Sequence, residues 1–264
     1  MGQCQLSVLI ITKNEAHNIK ACLESVQFAD EIIVFDSGSN DGTPDICQQY
    51  GAKITVTGDW PGYGLQKARA YAQARGTWIL CIDADERLSP ALQQEIQLAI
   101  KDTRYSAYQL PFVSSYCGQK IYFGDWYKEQ HMRLFKRQQY HFSKAIVHED
   151  LVYIGNPCPE KIGQCTAPIY HFPFPHIDSV LKKLNQYSAS GAAQKYQQGK
   201  RASLWTAISH GIWTFIRGYF IRLGFLDGRA GFMLAVSNAE GTYYRYLKLM
   251  WLHEQNQVQS TPKT

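Results

Sequence analysis

The tripeptide Asp83-Ala84-Asp85 directly follows an apolar segment that ends at Ile82. Side chains two residues apart in an extended strand point the same way, so both carboxylates can face one ligand. Carboxylate oxygens are preferred ligands of Mg²⁺ and Mn²⁺, and such a cation can neutralise a diphosphate leaving group. The pair predicts a metal and diphosphate site, although the same tripeptide is also common in polar turns.

Polar residues follow two other apolar segments. Thr12-Lys13-Asn14-Glu15 ends the first and Asp36 ends the second. Carboxylates at these places can accept hydrogen bonds from a base or from ribose hydroxyls. Alternatively, Glu15 favours the first turn of a helix and Asp36 caps a turn. Lys67 and Arg69 are candidate phosphate ligands unless they are ordinary solvated helix cations.

The elements that position these residues alternate between strand and helix. The helices are predicted from about Glu15, from Thr43, over 66–74 and from Ser89, and the strands over 6–12, 31–35, 52–57 and 77–82. This alternation favours an α/β fold with a mostly parallel, twisted sheet and helices on both faces. Ligands of such sheets bind at the carboxyl ends of the strands.

The rest of the chain follows two other patterns. Residues 108–137 predict strands and loops, and helices are predicted over 177–198, 204–223 and 230–251. A dinucleotide fold is excluded, because the turn after the first strand, Lys13-Asn14-Glu15-Ala16, has no Gly-x-Gly-x-x-Gly pattern. No phosphate-binding P-loop pattern is present either.

Composition excludes several classes of protein. The net charge of +5 is too small to predict a nucleic-acid partner. Residues 1–100 hold 7 basic and 12 acidic side chains, so the excess of basic side chains lies in the rest of the chain. Seven cysteines without a Cys-x-x-Cys pair favour neither a disulfide framework nor zinc, and indicate a reducing compartment. No signal-peptide pattern or long apolar segment is present, so a cytoplasmic location is expected.

Three ordered motifs resemble the nucleotide-binding half of family-2 inverting glycosyltransferases of the GT-A fold. They are residues 6–15, Asp36-Ser37-Gly38-Ser39-Asn40-Asp41-Gly42-Thr43 and Asp83-Ala84-Asp85-Glu86. Met132-Arg133-Leu134-Phe135-Lys136-Arg137, Val147-His148-Glu149-Asp150 and Gly224-Phe225-Leu226-Asp227-Gly228 resemble the branch of bacterial lipopolysaccharide-core β-1,4-glucosyltransferases.

This resemblance implies a GT-A catalytic domain over residues 1–170, with nucleotide-sugar binding in 1–100 and an acceptor and base region in 101–170. A helical extension over 171–264 would contact a membrane or a partner. The implied reaction moves a sugar, most simply glucose from UDP-glucose, onto a lipid-linked lipopolysaccharide core sugar with inversion. The alternatives are transfer to a polyprenyl phosphate and a catalytically silent scaffold that keeps the fold.

The resemblance also assigns site residues. Thr12, Asn14, Glu15 and Asp36 would hold the nucleoside, Asp83 would contact the ribose or the metal, and Asp85 would bind Mg²⁺ or Mn²⁺. An inverting transfer needs a carboxylate base, for which Glu149 is favoured and Asp150 stays open. His148 would be a third metal ligand, a phosphate partner or a packed imidazole. Arg133, Lys136 and Arg137 would grip the diphosphate or an anionic acceptor, or form a solvated strand face.

Residues 205–222 combine aromatic and aliphatic side chains with arginines near the end of the segment. Aromatic rings favour the headgroup level of a membrane, and cations favour anionic lipid. The cations Lys182, Lys183, Lys200, Arg201, Arg217 and Arg222 therefore fit a peripheral contact with the inner face of the cytoplasmic membrane. Packing against the catalytic domain and an oligomer contact are the competing interpretations.

Overall fold

The computed structural model describes residues 4–142, 151–155 and 162–260. The chain divides into two compact units, which we describe separately. The first comprises Met1–Val113 and Glu129–His171, and the second comprises Ser114–Lys128 and Phe172–Thr264. The segment Ser114–Lys128, which the sequence places in the first domain, therefore clusters with the C-terminal residues instead.

The four strands and four helices predicted in the first hundred residues are present, and a short strand that was not predicted, Glu86–Leu88, follows the fourth strand. The strands are β1 Leu6–Thr12, β2 Glu31–Asp36, β3 Lys53–Val56, β4 Trp78–Asp83, β5 Glu86–Leu88, β6 Ala107–Tyr116, β7 Gln119–Lys120, β8 Gln130–Lys136, β9 Tyr140–Phe142, β10 Leu151–Tyr153, β11 Gly163–Gln164 and β12 Ile169–Phe174. The helices are α1 Ala16–Glu24, α2 Thr43–Gln49, α3 Tyr63–Gln73, α4 Pro90–Ala99, α5 Ile177–Gln197, α6 Leu204–Ile216 and α7 Gly228–Ser260.

The main sheet has the strand order β3-β2-β1-β4-β8-β6-β12-β5. Strands β3, β2, β1 and β4 are parallel, whereas β8 is antiparallel to both β4 and β6. The sheet is therefore mixed: β1 to β4 form a parallel part within the first hundred residues, and the short β11 pairs parallel with β6. The chain reverses after β6, because β7 follows it directly and pairs with it antiparallel.

Both faces of the first unit's sheet are covered by helices, as predicted. Alternate residues of β1 supply the two cores. Leu6, Val8 and Ile10 pack with buried residues of α1 and α4, and Leu9 and Ile11 pack with Ala70 and Ala74 at α3. Every residue of β1 and β2 is buried, which explains why both read as continuous apolar runs rather than as alternating patterns.

A buried carboxylate links strands at the amino end of the parallel sheet. Glu31 accepts hydrogen bonds from the Ser7 hydroxyl at 2.6 Å, the Arg75 backbone at 2.6 Å and Lys53 Nζ at 3.2 Å. Burial alone would raise the pKa of Glu31, but these hydrogen bonds outweigh it and lower the pKa from 4.5 to about 2. The ionised form of Glu31 is therefore favoured by folding.

We expect Glu31 to make stability depend on acid pH. Its pKa is lower in the folded state, so its contribution is present above pH 4.5 and is lost as the pH falls toward 2. The full pKa shift corresponds to a contribution on the order of 3 kcal/mol from Glu31 to the free energy of unfolding. Urea unfolding at about pH 7 and about pH 3 should show a smaller acid loss in Glu31→Gln than in the wild type. An equally steep loss in the variant would contradict this assignment.

The second unit is mainly helical. Helix α6 continues into a π-helical turn, Arg217–Ile221, and a 3₁₀ turn, Gly224–Asp227, precedes α7. The helical segment predicted over 204–223 is therefore α-helical to Ile216 and π-helical over Arg217–Ile221, and the helix predicted over 230–251 extends over 228–260. Asp227 of the Gly-Phe-Leu-Asp-Gly motif accepts hydrogen bonds from the backbone N–H groups of Tyr122 and Phe123, at 3.0 and 2.7 Å. Among the described helices, none is both long enough and apolar enough to cross a membrane.

Candidate functional site

The ends of three parallel strands meet at one edge of the sheet in the first unit. Thr12 is paired in register with Asp36 of β2, and Ile11 is paired with Asp83 of β4. The carboxyl ends of β2, β1 and β4 are therefore neighbours. This confirms the expectation that the polar residues after these strands lie at a shared edge.

Two loops at this edge are tied together by hydrogen bonds. Asn14, which has a positive φ of 56°, donates its backbone N–H to Ser39 Oγ at 2.7 Å and accepts the Asn40 N–H on its side-chain oxygen at 2.9 Å. The Glu15 N–H donates to Thr43 Oγ1 at 3.0 Å. Asn14, predicted as a nucleotide ligand, thus holds the loop after β1 against the loop after β2.

Asp36 organises the second of these loops. Its side chain is buried, and Oδ1 accepts the backbone N–H groups of Gly38 at 3.0 Å and Ser39 at 2.8 Å. Oδ2 accepts the Ser39 hydroxyl. Asp36 therefore caps the turn that follows β2, which was the alternative to a ligand contact. Its carboxylate fixes the conformation of this loop.

Glu15 precedes helix α1 and is partly exposed. Its Oε2 accepts a hydrogen bond from Asn18 Nδ2 at 2.9 Å. The side chain is 29% exposed, so the carboxylate stays accessible from solvent at the carboxyl edge of the sheet.

The hydroxyl of Thr12 has no hydrogen-bond partner among the described residues, and its oxygen is buried. Leaving a buried polar group unsatisfied costs about 1–3 kcal/mol, and each such group in a folded protein requires an explanation. A hydroxyl held at the end of a central strand in this state is suited to a ligand that arrives from the carboxyl edge.

Asp83 lies between two buried cations. Its Oδ1 is 3.2 Å from Lys67 Nζ, and its Oδ2 is 3.2 Å from Arg133 Nη2. Burial raises the pKa of Asp83, but Lys67 and Arg133 outweigh burial and hold it well below its ordinary value. Because each oxygen faces a cation, Asp83 does not present the free carboxylate expected of a metal ligand.

Glu86 completes this cluster, and no role was predicted for it. Its Oε1 is 2.6 Å from Arg133 Nη2, and its Oε2 accepts the Asp83 backbone N–H at 2.9 Å. Burial raises the pKa of Glu86 to about 7. The Asp-Ala-Asp-Glu motif contains Glu86, but sequence spacing gives no sign that its side chain turns back toward β4.

Among the described residues, Asp85 forms an ionic contact with one side chain, whereas Asp83 forms contacts with two. Asp85 Oδ2 is 3.4 Å from His171 Nε2, and the Asp85 side chain is 18% exposed. Burial lowers the pKa of His171, but the contact with Asp85 outweighs it and the net shift is upward. His171 was missed in the sequence because the antiparallel pairing of β12 with β5 brings it here.

The carboxylates at this edge supply some, but not all, of the oxygen ligands that a hard cation needs. Within residues 4–142, 151–155 and 162–260, no three His, Cys, Asp or Glu side chains converge as a metal site. Mg²⁺, however, is commonly held by one or two carboxylates together with substrate phosphates and water. Asp85 supplies an oxygen of that kind, so a metal carried in with a diphosphate is compatible with these residues.

Three predicted residues lie outside the described part of the chain. They are His148, Glu149 and Asp150, the candidate metal ligand and the two candidate bases.

Two predicted phosphate ligands, Arg69 and Arg137, form contacts with other parts of the chain. Arg69 forms a bidentate salt bridge with Asp59, in which Nη1 donates to Oδ1 at 2.7 Å and Nη2 donates to Oδ2 at 2.9 Å.

The prediction for Arg137 requires a correction. Arg137 Nε donates to the Gly76 carbonyl at 3.0 Å, and its backbone N–H donates to Thr77. Both partners precede β4, whereas Asp83 ends it. Strand β8 runs antiparallel to β4, so Arg133 reaches the carboxyl edge and Arg137 lies at the opposite end.

Gln66 is a third side chain, after Glu86 and His171, that the sequence analysis did not predict. It is fully buried at the start of α3 and donates to Ser37 Oγ at 3.1 Å and to Thr57 Oγ1 at 3.0 Å. The amide therefore connects the loop after β2 with the loop after β3. The only sequence signal was its place beside Lys67.

Comparison with known proteins identifies relatives along the whole chain. A family model described as glycosyl transferase family 2 matches residues 7–152. An uncharacterised glycosyltransferase of Rickettsia typhi is 33% identical over 255 residues, covering 93% of this chain and 86% of the relative. The lipopolysaccharide core biosynthesis glycosyltransferase LpsC of Rhizobium meliloti is 31% identical over 269 residues, covering 97% and 95%.

Solved structures show weaker likeness. A crystal structure of Staphylococcus aureus TarS 1-349 is 14% identical with a TM-score of 0.47, covering 96% of this chain and 92% of that one. Glucosyl-3-phosphoglycerate synthase from Mycobacterium tuberculosis, in complex with Mn²⁺, UDP and glucosyl-3-phosphoglycerate, is 24% identical with a TM-score of 0.35, covering 44% and 45%. At these TM-scores the likeness carries no argument about function. The family match and the strand order together confirm the α/β fold of the GT-A type.

Proposed function

The chain belongs to glycosyltransferase family 2, and we propose that it transfers glucose from UDP-glucose to a lipid-linked lipopolysaccharide core sugar with inversion. The proposal depends mainly on one observation, the polar edge at the carboxyl ends of β1 and β4. Thr12 ends β1, Asp85 follows β4, and Lys67 contacts Asp83 at the end of β4. The name of the Rhizobium relative supports the class of acceptor.

The donor's nucleoside would lie against the loops after β1 and β2. The Thr12 hydroxyl and the Glu15 carboxylate offer hydrogen bonds to it, while Asn14 and Asp36 hold the loops in shape. Lys67 and Arg133, which Asp83 holds in place, would donate hydrogen bonds to the donor's phosphates. Fixed charges of this kind stabilise a leaving diphosphate without reorganising during the reaction.

The carboxylate of Asp85 would face a Mg²⁺ or Mn²⁺ ion carried by the diphosphate. A divalent cation at this place supplies charge neutralisation for the departing UDP. Asp83 acts differently, because its charge keeps Lys67 and Arg133 in position. His171 orients Asp85 from the other side.

The transfer itself needs one further carboxylate. Glu149, with Asp150 as the alternative, would accept the proton of the acceptor hydroxyl as its oxygen bonds to the anomeric carbon. The bond from that carbon to the UDP oxygen breaks at the opposite face, and its electron pair leaves with UDP. The α linkage of the donor thereby becomes a β linkage in the product.

A donor screen tests this function. Purified protein and a panel of nucleotide sugars are combined with Mg²⁺ or Mn²⁺ and with either core oligosaccharide or a polyprenyl phosphate, and released UDP is measured. We expect turnover with UDP-glucose and a glucosylated core by mass spectrometry. A product formed only on polyprenyl phosphate would replace the acceptor assignment. No turnover with any donor would favour a silent scaffold.

The second unit supports a peripheral location on the inner face of the cytoplasmic membrane. Helix α6 buries its small side chains, including Ala207, Gly211 and Thr214, and leaves large apolar ones exposed. Trp205, Ile212 and Trp213 are 77%, 57% and 54% exposed. An exposed apolar patch of this kind marks an interaction surface.

Two of the predicted membrane cations have another role. Arg217 and Arg222 pair with Asp125 at 3.0 Å each, so they stabilise the second unit internally. Lys182 and Arg201 are exposed and remain candidates for contact with anionic headgroups. The membrane proposal therefore depends mainly on the apolar face of α6.

Flotation with anionic vesicles tests this face. The wild type should float at low salt, and Trp213→Ser should lower the bound-to-free ratio at least tenfold, since burying a large apolar side chain contributes about 1.5–3 kcal/mol. Leu98→Ser is the matched control, because Leu98 is 69% exposed on α4 of the first unit. Wild-type protein that stays in the unbound fraction would contradict membrane contact.

A further inference from the structure

The second unit contains a cavity of about 420 Å³ that the donor site does not use. All of its lining residues belong to that unit, with walls from α5, α6, α7 and the segment around Trp126. Its volume lies within the range of pockets that hold small-molecule ligands. The chemistry of its lining therefore indicates what it binds.

Cations outnumber anions in the lining. Lys183, Arg217, Arg222 and Arg245 face a single carboxylate, Asp125. Asp125 is shared by Arg217 and Arg222, which leaves Lys183 and Arg245 without a carboxylate among the described residues. A concave surface with surplus positive charge attracts an anion.

Arg245 is held in place without satisfying its guanidinium. Its Nε is buried and has no hydrogen-bond partner among the described residues. The side chain passes so close to α5 that a Cβ added at Gly191 would lie 2.8 Å from Nε. Glycine at position 191 therefore leaves room for an arginine whose buried Nε has no hydrogen-bond partner among the described residues.

The remaining walls combine aromatic rings with hydroxyl groups. Trp126 and Phe174 stack with centroids 5.9 Å apart and planes inclined by 16°. Lys183 Nζ lies 5.1 Å from the centre of the Phe174 ring. The hydroxyl and amide groups of the lining belong to Tyr116, Ser188, Thr214, Ser237, Asn238 and Thr242. Flat rings suit the apolar face of a sugar ring, and hydroxyls suit its polar rim.

We propose that this cavity binds a saccharide that carries a phosphate or carboxylate group, with Lys183 and Arg245 contacting the anionic group and Trp126 facing the sugar ring. The inference does not depend on the donor chemistry of the first unit. The ligand is either a soluble sugar acid or the headgroup of a glycolipid, because the two share this chemistry.

Binding to the full-length chain without UDP tests the soluble source. Calorimetric titrations use glucose 6-phosphate, glucuronate and neutral glucose as probes. We expect saturable binding of the two anionic probes and roughly tenfold weaker binding in Lys183→Gln and in Arg245→Gln, as for the loss of one charge-assisted hydrogen bond. Lys101→Gln is the matched control, because Lys101 is an exposed lysine of the first unit and does not line the cavity.

Vesicles test the lipid source. Phosphatidylcholine vesicles carry either glucuronosyl diacylglycerol or the same mole fraction of phosphatidylglycerol. Preference for the glucuronosyl lipid that is lost in Lys183→Gln, but kept in Lys101→Gln, assigns the cavity to a glycolipid headgroup. Thermal unfolding followed by circular dichroism establishes that each variant is folded. If Arg245→Gln does not fold, the test depends on Lys183→Gln, because Lys183 is only half-buried. Binding that is absent in both formats, or unchanged in folded Lys183→Gln, would overturn the proposal.

Discussion

Replacing Asp85 with Asn is expected to lower the rate of UDP release in the presence of acceptor by about 10²–10³-fold while the protein stays folded. The substitution keeps the shape of the side chain and removes one charge beside the diphosphate. Asp85 contacts His171 at 3.4 Å and is partly exposed, so its loss leaves no isolated charge in the core. The measurement is a steady-state assay of released UDP.

Asp102→Asn is the matched control for that experiment. Asp102 has a similarly exposed side chain, at 22%, and also pairs with one cation, Arg104 at 2.7 Å. It lies after α4, away from the carboxyl ends of β2, β1 and β4. Turnover should be unchanged in this variant. An Asp85→Asn enzyme as fast as the control would remove Asp85 from the site.

Replacing Arg133 with Met is expected to lower the free energy of unfolding by about 3–5 kcal/mol, because it leaves the buried Glu86 carboxylate without its cationic partner. Arg133 is within 3.2 Å of Asp83 and 2.6 Å of Glu86, and its side chain is 14% exposed. Urea unfolding of the variant and the wild type measures the loss. UDP turnover should fall as well, since Arg133 lines the donor edge.

A double variant separates the electrostatic cause from lost packing. Adding Glu86→Gln to Arg133→Met removes the stranded charge, so the double variant should be more stable than Arg133→Met alone by about 1 kcal/mol or more. A double variant that is less stable than either single variant would contradict the proposed sharing of Arg133.

The first hundred residues could be interpreted closely from sequence because their strands are continuous apolar runs. The polar residues that end β1, β2 and β4 are visible in the same pattern, so the shared edge was predictable. Capping by Asp36 was also foreseeable as an alternative, since an Asp followed by Ser-Gly is typical of a turn. Local signals were sufficient in these cases.

Contacts between distant segments were not predictable. His171 reaches Asp85 only because β12 pairs with β5, and Asp125 takes up Arg217 and Arg222 from a segment about ninety residues earlier. The direction of β8 separates Arg133 from Arg137, although both belong to one basic motif. Charge type is visible in a sequence, whereas the partner of a charge depends on strand order and direction.

The central claim is that the loops after β1 and β2 bind the donor nucleotide, and photolabelling tests it most directly. The full-length protein is irradiated with 5-azido-UDP-glucose, with and without excess UDP, and labelled peptides are identified by mass spectrometry. We expect UDP-protected label in peptides that contain residues 12–15 or 36–43. Protected label confined to peptides of residues 172–260 would contradict the account.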